Sequence, residues 1–464
     1  MAVQPLVVID IVGLTRRWLS HAPQLARLAQ AGQCSSLNEV LPAVTCTVQA
    51  SMLTGRLPAE HGIVANGWLY RDTGEVRFWQ QSNRLLQAEP VYATARREAN
   101  RRQRAFKSAK LFWWFNQGAA VDISITPKPW YGADGNKAFG IYGTPGGLSD
   151  RLERQLGPFP FKSFWGPLAG RPASEWIGLA TAAILRDERP DLTLTYLPHL
   201  DYEPQRHGPA KCDMATLVRE LDDCCAPILD AAQAQGARVW VVNEYGHVNV
   251  QHAIEPNRAL RRGGLLAVRP GPFGETLDTF ESRAFAVCDH QCAHVYVRDD
   301  SDVPLVRETL EGLPGIARVL SGAERTDIGL NHSRSGELIL FSASDSWFAY
   351  PYWLDDRLAP DFARTVDIHR KPGFDPCELH FDAHHRWPKA RVPWRLVQKK
   401  LGLRALMDIV PLDSSVVGGS HGLLARSDED RPLMIADHPG LAEPVVNMQE
   451  LAGMILEALD LVPA

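Results

Sequence analysis

Short apolar runs recur along the chain, and most are followed by a stretch with helical spacing. "PLVVIDIVGL" leads into "HAPQLARLAQAG", "DLTLTYLPHLD" into "ATLVRELDDCCAPILDAAQAQG", and "AHVYVRD" into "VPLVRETLEGLPG". "RVWVVNEYG" and "GELILFSA" are further strand-like runs. "SEWIGLATAAILRDERPD" reads as a helix delivering the chain into a strand at 192–198, and "NMQELAGMILEALDL" as a closing amphipathic helix. Alternation of this kind predicts an α/β protein with a mainly parallel central sheet flanked by helices.

Two regions break the pattern. Residues 70–165 ("LFWWFNQG", "PKPWYGADG", "GPFPFKSFWGP") and 344–410 ("DSWFAYPYWLDD", "HRKPGFDPCELHFDAHHRWPKARVPW") are rich in Trp, Gly and Pro. Such insertions usually cap the carboxyl edge of a sheet. The expected division is core at 1–69, a cap at 70–165, core at 166–343, a second cap at 344–410, and a return to the core at 411–464.

Composition narrows the classes. The 464 residues are 45% hydrophobic and 22% charged with a net charge of −5, so no basic field marks nucleic acid as a partner. No apolar run approaches the roughly 18 residues of a membrane span. The N-terminus reads as a strand and not as a signal peptide. Eight scattered cysteines show no disulfide framework, which points to a reducing, cytoplasmic setting. In "VCDHQCAHVYV" the residues Cys288, His290, Cys292 and His294 alternate, as on one face of a single strand. Neighbours so placed lie about 7 Å apart, too far for four to share one zinc, so a buried strand is expected there.

The chemistry concentrates in "LPAVTCTVQASMLTGRLPAEHGIVANGW", residues 41–68, where Thr45, Cys46, Thr47 and Thr54 accompany an apolar helical run that closes on Asn66. An ordinary capped helix would look much the same. The strand ends add weight. The first carries Asp10, the second runs out in "PHLDYEPQRHGP" with Asp201 and His207, the third in "NEYGH" with Glu244 and His247. Late in the chain, "DSSVVGGSHG" presents His421. Carboxyl ends of parallel strands share one edge, so these groups can converge on a divalent cation. Each acid taken singly could equally cap a helix.

The set resembles the alkaline phosphatase superfamily, and within it the type I phosphodiesterase/nucleotide pyrophosphatase branch and phosphonoacetate hydrolase. Those proteins carry "TG-x-x-P-x-x-HGI-x-x-N", which here reads "TGRLPAEHGIVAN" from Thr54 to Asn66. The resemblance implies an alkaline phosphatase-like fold and two divalent ions, zinc first, with manganese or magnesium as alternatives. It makes Thr45 the nucleophile and, with Asp10, a ligand of one metal. Asn66 would donate to a phosphoryl oxygen, Asp201 and His421 would hold the other metal, and Glu244 takes the place of a family Asp.

Two departures accompany it. Gln205 stands where "D-x3-H" requires His, and Tyr245 stands where "DHG" requires His. His207, His247 and His369 are candidates to compensate, alongside Gln205 and Tyr245 themselves. Asp289-His290 is a rival pair without the following Gly, and ranks lower.

A metal-held threonine hydroxyl attacks phosphorus, and donors at a helix start favour the phosphoryl group. Cys46 is the competing nucleophile, although its backbone N–H is the more useful group. The expected activity is hydrolysis of phosphate diesters or nucleotide pyrophosphate bonds through a covalent threonine intermediate, on a small-molecule phosphate ester or nucleotide. A phosphonate or monoester is the alternative, for which Arg370 and Lys371, with Arg386 and Lys389, would supply cationic contacts. A non-catalytic binding protein with a degenerate metal site is the third reading.

Overall fold

The apolar run Leu6–Ile11 is buried at every position and forms β1 in the middle of the molecule. The computed structural model describes residues 4–133, 137–383, 393–395, 397, 398, 401, 405–437 and 445–463. Arg386 and Lys389 lie outside these described residues.

The remaining strands of the central sheet are β2 (Gln33–Asn38), β3 (Ser108–Leu111), β4 (Ile123–Tyr131), β5 (Lys137–Thr144), β6 (Leu192–Leu197) and β7 (Arg238–Val242). A second sheet contains β8 (Ala284–Asp289), β9 (Cys292–Val297), β10 (Ile316–Ser321) and β11 (Leu338–Ser342), and the chain returns to the first with β12 (Leu433–Ala436) and β13 (Val445–Asn447). The central sheet has nine strands in the order β13-β2-β12-β7-β1-β6-β3-β4-β5. Its middle, β7-β1-β6-β3-β4, is parallel throughout. β5 and β12 run antiparallel to their neighbours.

Alternation along β1 serves two cores. Val7, Ile9 and Ile11 face one layer, with the helices Arg171–Glu188 and Met214–Gln235. Leu6 and Val8 face the other, with α1 (Thr45–Thr54), Val91–Arg101 and Glu450–Ala458. This is the mixed α/β architecture with a mostly parallel sheet that the apolar pattern predicts. Among the described residues no helix is long and apolar enough to cross a membrane.

Three differences have physical reasons. Residues 108–144, expected as cap, supply β3, β4 and β5 to the central sheet. "AHVYV" and "GELIL" do not join that sheet; they pair antiparallel in the second one, over a separate apolar core. The stretch 287–297 is not one strand but a hairpin, with Asp289 opposite Cys292 and the turn at His290-Gln291. Opposed residues share a face, so Cys288 lies with Ala293 on the side opposite to Cys292 and His294, and the single-strand alternation does not carry across the turn. His290 adopts the left-handed conformation at φ 57°, unusual for a residue with a side chain.

Candidate active site

Asp10 is the last-but-one residue of β1, in register with Val242 on one side and Tyr196 on the other. The chain leaving β7 therefore puts Glu244 beside Asp10. The chain leaving β6 enters α2 (His199–His207), which carries Asp201. All three carboxylates are buried.

His421 arrives from the far end of the chain. Gly419 and Ser420 pair antiparallel with Asn249 and Val248, which sets His421 alongside His247. The two glycines of "GGSHG" are required by close approach. A Cβ on Gly418 would lie 2.3 Å from the His207 carbonyl carbon, and one on Gly419 would lie 2.1 Å from the Pro204 oxygen.

Asp201, His247 and His421 bring one ligand atom each within 4.8 Å of one another. His247 Nε2 is 2.9 Å from Asp201 Oδ1. Burial alone would raise the Asp201 carboxyl, but the hydrogen bond and charge of His247 hold it at about 2. His421 donates from Nδ1 to the Ala43 carbonyl at 2.8 Å, so its buried Nε2 is left with a lone pair and no hydrogen-bond partner. A fixed tautomer with a free Nε2 is the usual state of a metal-binding imidazole. Burial holds this imidazole neutral, well below its ordinary pKa.

His247 thus brings beside Asp201 the imidazole that Gln205 does not supply. Gln205 is buried next to Asp201 and helps to hold that carboxylate ionised. His207 is turned away, 55% exposed at its side chain and 3.4 Å from Glu203. His369 lines the cleft above the site instead.

Thr45 is the first residue of α1, after Val44 in extended conformation. Its hydroxyl lies 2.9 Å from the Tyr245 hydroxyl, which in turn is 3.4 Å from Asp201 Oδ1. The phenol therefore connects the nucleophile candidate to the Asp201 group.

On the other side of Thr45, Asp10 and Glu244 share a partner that sequence reasoning missed. Gln49, one turn along α1, donates from Nε2 to Asp10 Oδ2 at 2.9 Å and to Glu244 Oε1 at 2.7 Å. Its Oε1 accepts the Trp114 backbone N–H at 2.8 Å, which fixes the amide orientation. Burial, together with repulsion from Glu244, raises Asp10 well above the carboxylate range, and burial raises Glu244 to about 7.

Asn66 returns to the helix start, as expected, but its contacts are internal. Its Oδ1 accepts the Cys46 backbone N–H at 2.9 Å, and its own N–H and Nδ2 donate to Asp289 at 2.7 and 3.1 Å. The Cys46 N–H is therefore taken up by Asn66. The Cys46 thiol is buried and raised well above its ordinary pKa, which disfavours the thiolate. His61 of "AEHGI" also has an internal task, accepting the Ile63 N–H and meeting Ser51 Oγ on α1 at 2.9 Å.

Asp289-His290 comes into the site from the hairpin turn. Asp289 Oδ1 is 2.7 Å from His290 Nδ1, and His290 Nε2 is buried without a partner at the cleft wall. The other members of the alternating set are engaged elsewhere. His294 meets the Val64 carbonyl and the Gly336 N–H, and Cys288 donates to the Ala349 carbonyl.

Above these groups opens a cleft of about 830 Å³ with Thr45, Asp201, Tyr245 and His290 in its floor and Trp79, Trp114, Trp165 and Phe374 in its walls. Arg370, Lys137 and Lys128 reach its lining. Arg370 pairs with Asp367 at 2.7 Å, and Lys137 lies 3.6 Å from the same carboxylate. Lys371, expected to bind substrate, is instead buried in ion pairs with Asp375 and Glu378, both at 2.7 Å.

Residues 6–375 match the type I phosphodiesterase / nucleotide pyrophosphatase family. The chain belongs to that family. No curated protein gives a match. Solved structures share the fold of this phosphodiesterase-family chain across nearly its whole length. Phosphonoacetate hydrolase from Sinorhizobium meliloti, in complex with phosphonoformate, is 16% identical with a TM-score of 0.62, covering 99% of this chain and 96% of its own. Murine ectonucleotide pyrophosphatase / phosphodiesterase 5 is 14% identical with a TM-score of 0.58 over the same shares. Its human counterpart is 12% identical with a TM-score of 0.59, again over 99% and 96%.

Proposed function

We propose that this family member hydrolyses phosphate diesters or nucleotide pyrophosphate bonds, with Thr45 as nucleophile and a divalent cation held by Asp201, His247 and His421. The observation that carries this reading is the position of the Thr45 hydroxyl. It lies in the floor of the aromatic cleft, joined through Tyr245 to a carboxylate-imidazole-imidazole group with a free His421 Nε2. That donor set fits a cation, since a buried imidazole nitrogen without a partner is otherwise costly. A cation bound there would supply charge neutralisation for the phosphoryl oxygens.

The residues of the chain divide the remaining work. Thr45 Oγ1 forms the new bond to phosphorus as the bond to the departing oxygen breaks. The Thr45 proton passes to water in the cleft. The departing group leaves along the cleft and takes a proton from solvent. Water then cleaves the phosphothreonine ester and restores Thr45. Tyr245 holds the hydroxyl in place, and Asn66 with Asp289 fixes the start of α1 on which it sits.

The aromatic walls and the pairing of Lys137 and Arg370 with Asp367 favour a substrate with a flat second ester group over a dianionic monoester. His247 beside Asp201 makes up for Gln205 and weighs against the degenerate-site reading, while Tyr245 still stands in place of an imidazole.

Hydrolysis of bis-p-nitrophenyl phosphate and p-nitrophenyl phosphate, with metal-stripped protein resupplied with zinc, manganese or magnesium, tests the proposal. Diester cleavage restored by metal and abolished in Thr45→Ala is expected. Faster monoester or phosphonate cleavage would move the substrate class, and activity surviving in Thr45→Ala would overturn the threonine nucleophile.

A further inference from the structure

Two carboxylates lie side by side beside Thr45 with no exposure to solvent, and one neutral amide serves both. Gln49 cannot turn to offer its oxygen there, because that oxygen accepts the Trp114 N–H. Its amide therefore occupies Asp10 Oδ2 and Glu244 Oε1 and leaves the other oxygen of each acid, Asp10 Oδ1 and Glu244 Oε2, buried without a hydrogen-bond partner. A carboxylate with one oxygen clamped by a donor and the other unengaged is how metal-binding acids are usually supported. Two buried acids against one amide also leave negative charge that only a cation or a proton can offset.

The donors around this position are of one kind. Besides the two orphaned carboxylate oxygens there are the Thr45 hydroxyl and the Tyr245 hydroxyl, 2.9 Å apart. The residue that could have been an imidazole is the phenol Tyr245, and the imidazoles His247 and His421 belong to the Asp201 group. We infer that the two cation positions of this site are chemically unequal. The position at Asp10, Glu244 and Thr45 is built from oxygen alone and takes a hard divalent ion such as manganese or magnesium. The position at Asp201, His247 and His421, with two nitrogens and one oxygen, takes zinc. Gln49 is the positioning residue that sets the oxygen-only position, since it presents both free oxygens at once.

The inference rests on the reading of the site as metal-dependent, so its test reads cations and not turnover. Metal-stripped protein is loaded with one equivalent of zinc, verified by inductively coupled plasma mass spectrometry. It is then titrated with manganese, with bound ion followed by electron paramagnetic resonance. One zinc and one manganese per chain are expected. Asp10→Asn should weaken manganese at least 100-fold and Gln49→Met at least 10-fold, each with the zinc retained. His247→Ala should instead lose the zinc. Gln49→Met changes no ligand, so it reports even where Asp10→Asn fails to fold. Two tightly held zinc ions, or one cation of any kind in total, would overturn the inference. Diester hydrolysis measured on the same samples separates the two proposals. Zinc plus manganese binding without hydrolysis sinks only the proposed function, and hydrolysis with two equivalent zinc ions sinks only this inference.

Discussion

The Tyr245 ring lies flat on the His421 imidazole, with 3.5 Å between centroids and 7° between planes. One face of the phenol thus steadies an imidazole of the proposed cation site while its hydroxyl meets Thr45. The two tasks separate in two variants. Tyr245→Phe keeps the stack and removes the hydroxyl, so kcat should fall roughly 10- to 100-fold, the worth of one hydrogen bond at a reacting group. Its zinc content should match wild type. Tyr245→Ala should lose zinc affinity as well. Steady-state kinetics beside metal analysis checks both.

Asn66 is bound to the Asp289 carboxylate through two donors and to the α1 start through its oxygen. Removing it leaves a buried carboxyl and a buried backbone N–H short of partners. Asn66→Ala should therefore cost about 3 kcal/mol of stability, read from urea unfolding. A purely substrate-binding Asn66 would leave the unfolding curve where it was.

Burial lowers the His61 imidazole to about 3, far below its ordinary 6.5. Unfolded chains take up this proton below pH 6.5 and folded ones do not. Folded-state stability should therefore fall as the pH drops from 6.5 towards 3, by about 1.4 kcal/mol for each pH unit from this group. His61→Gln removes that contribution. Its unfolding free energy, followed between pH 7 and pH 5, should be flatter than that of wild type by up to that slope.

Asp367 neutralises two cations at the cleft, Arg370 and Lys137. Asp367→Asn would free both towards the substrate. The ratio of kcat/KM for p-nitrophenyl phosphate to that for its diester should rise about tenfold or less, the effect of a partly exposed charge. An unchanged ratio would show that these cations do not sense the phosphoryl group.

Trp165 packs against Phe374 in the cleft wall, with ring centroids 5.7 Å apart. Trp165→Ala should raise KM about tenfold for diesters with a flat leaving group, and much less for a methyl ester, with kcat little changed. Paired KM measurements on the two esters decide it.

Much of the site could be read along the chain because parallel strands end at one edge. Asp10, Asp201 and Glu244 each follow an apolar run, and that edge brings them together. What escaped the reading depends on contacts between distant backbones. His247 and not His207 reaches Asp201 because Val248 pairs with Ser420, a register that nothing local encodes. Gln49 looks like any polar residue within a helix until the Trp114 N–H is known to hold its oxygen. Lys371 and Arg370 are adjacent in sequence, yet one turns into a buried ion-pair cluster and the other to the cleft. The His290 turn was hidden because His290-Gln291 carries none of the glycine or asparagine that usually marks a two-residue hairpin.

The approach of Gly418 and Gly419 to the end of α2 has a consequence for synthesis on the ribosome. Asp201 and His247 are made early, but the strand that pairs beside His247 and the imidazole of His421 come more than a hundred residues later. A nascent chain therefore has its threonine helix before the three residues of the proposed cation site can meet. On the proposed mechanism, chemistry at the cleft waits for residue 421.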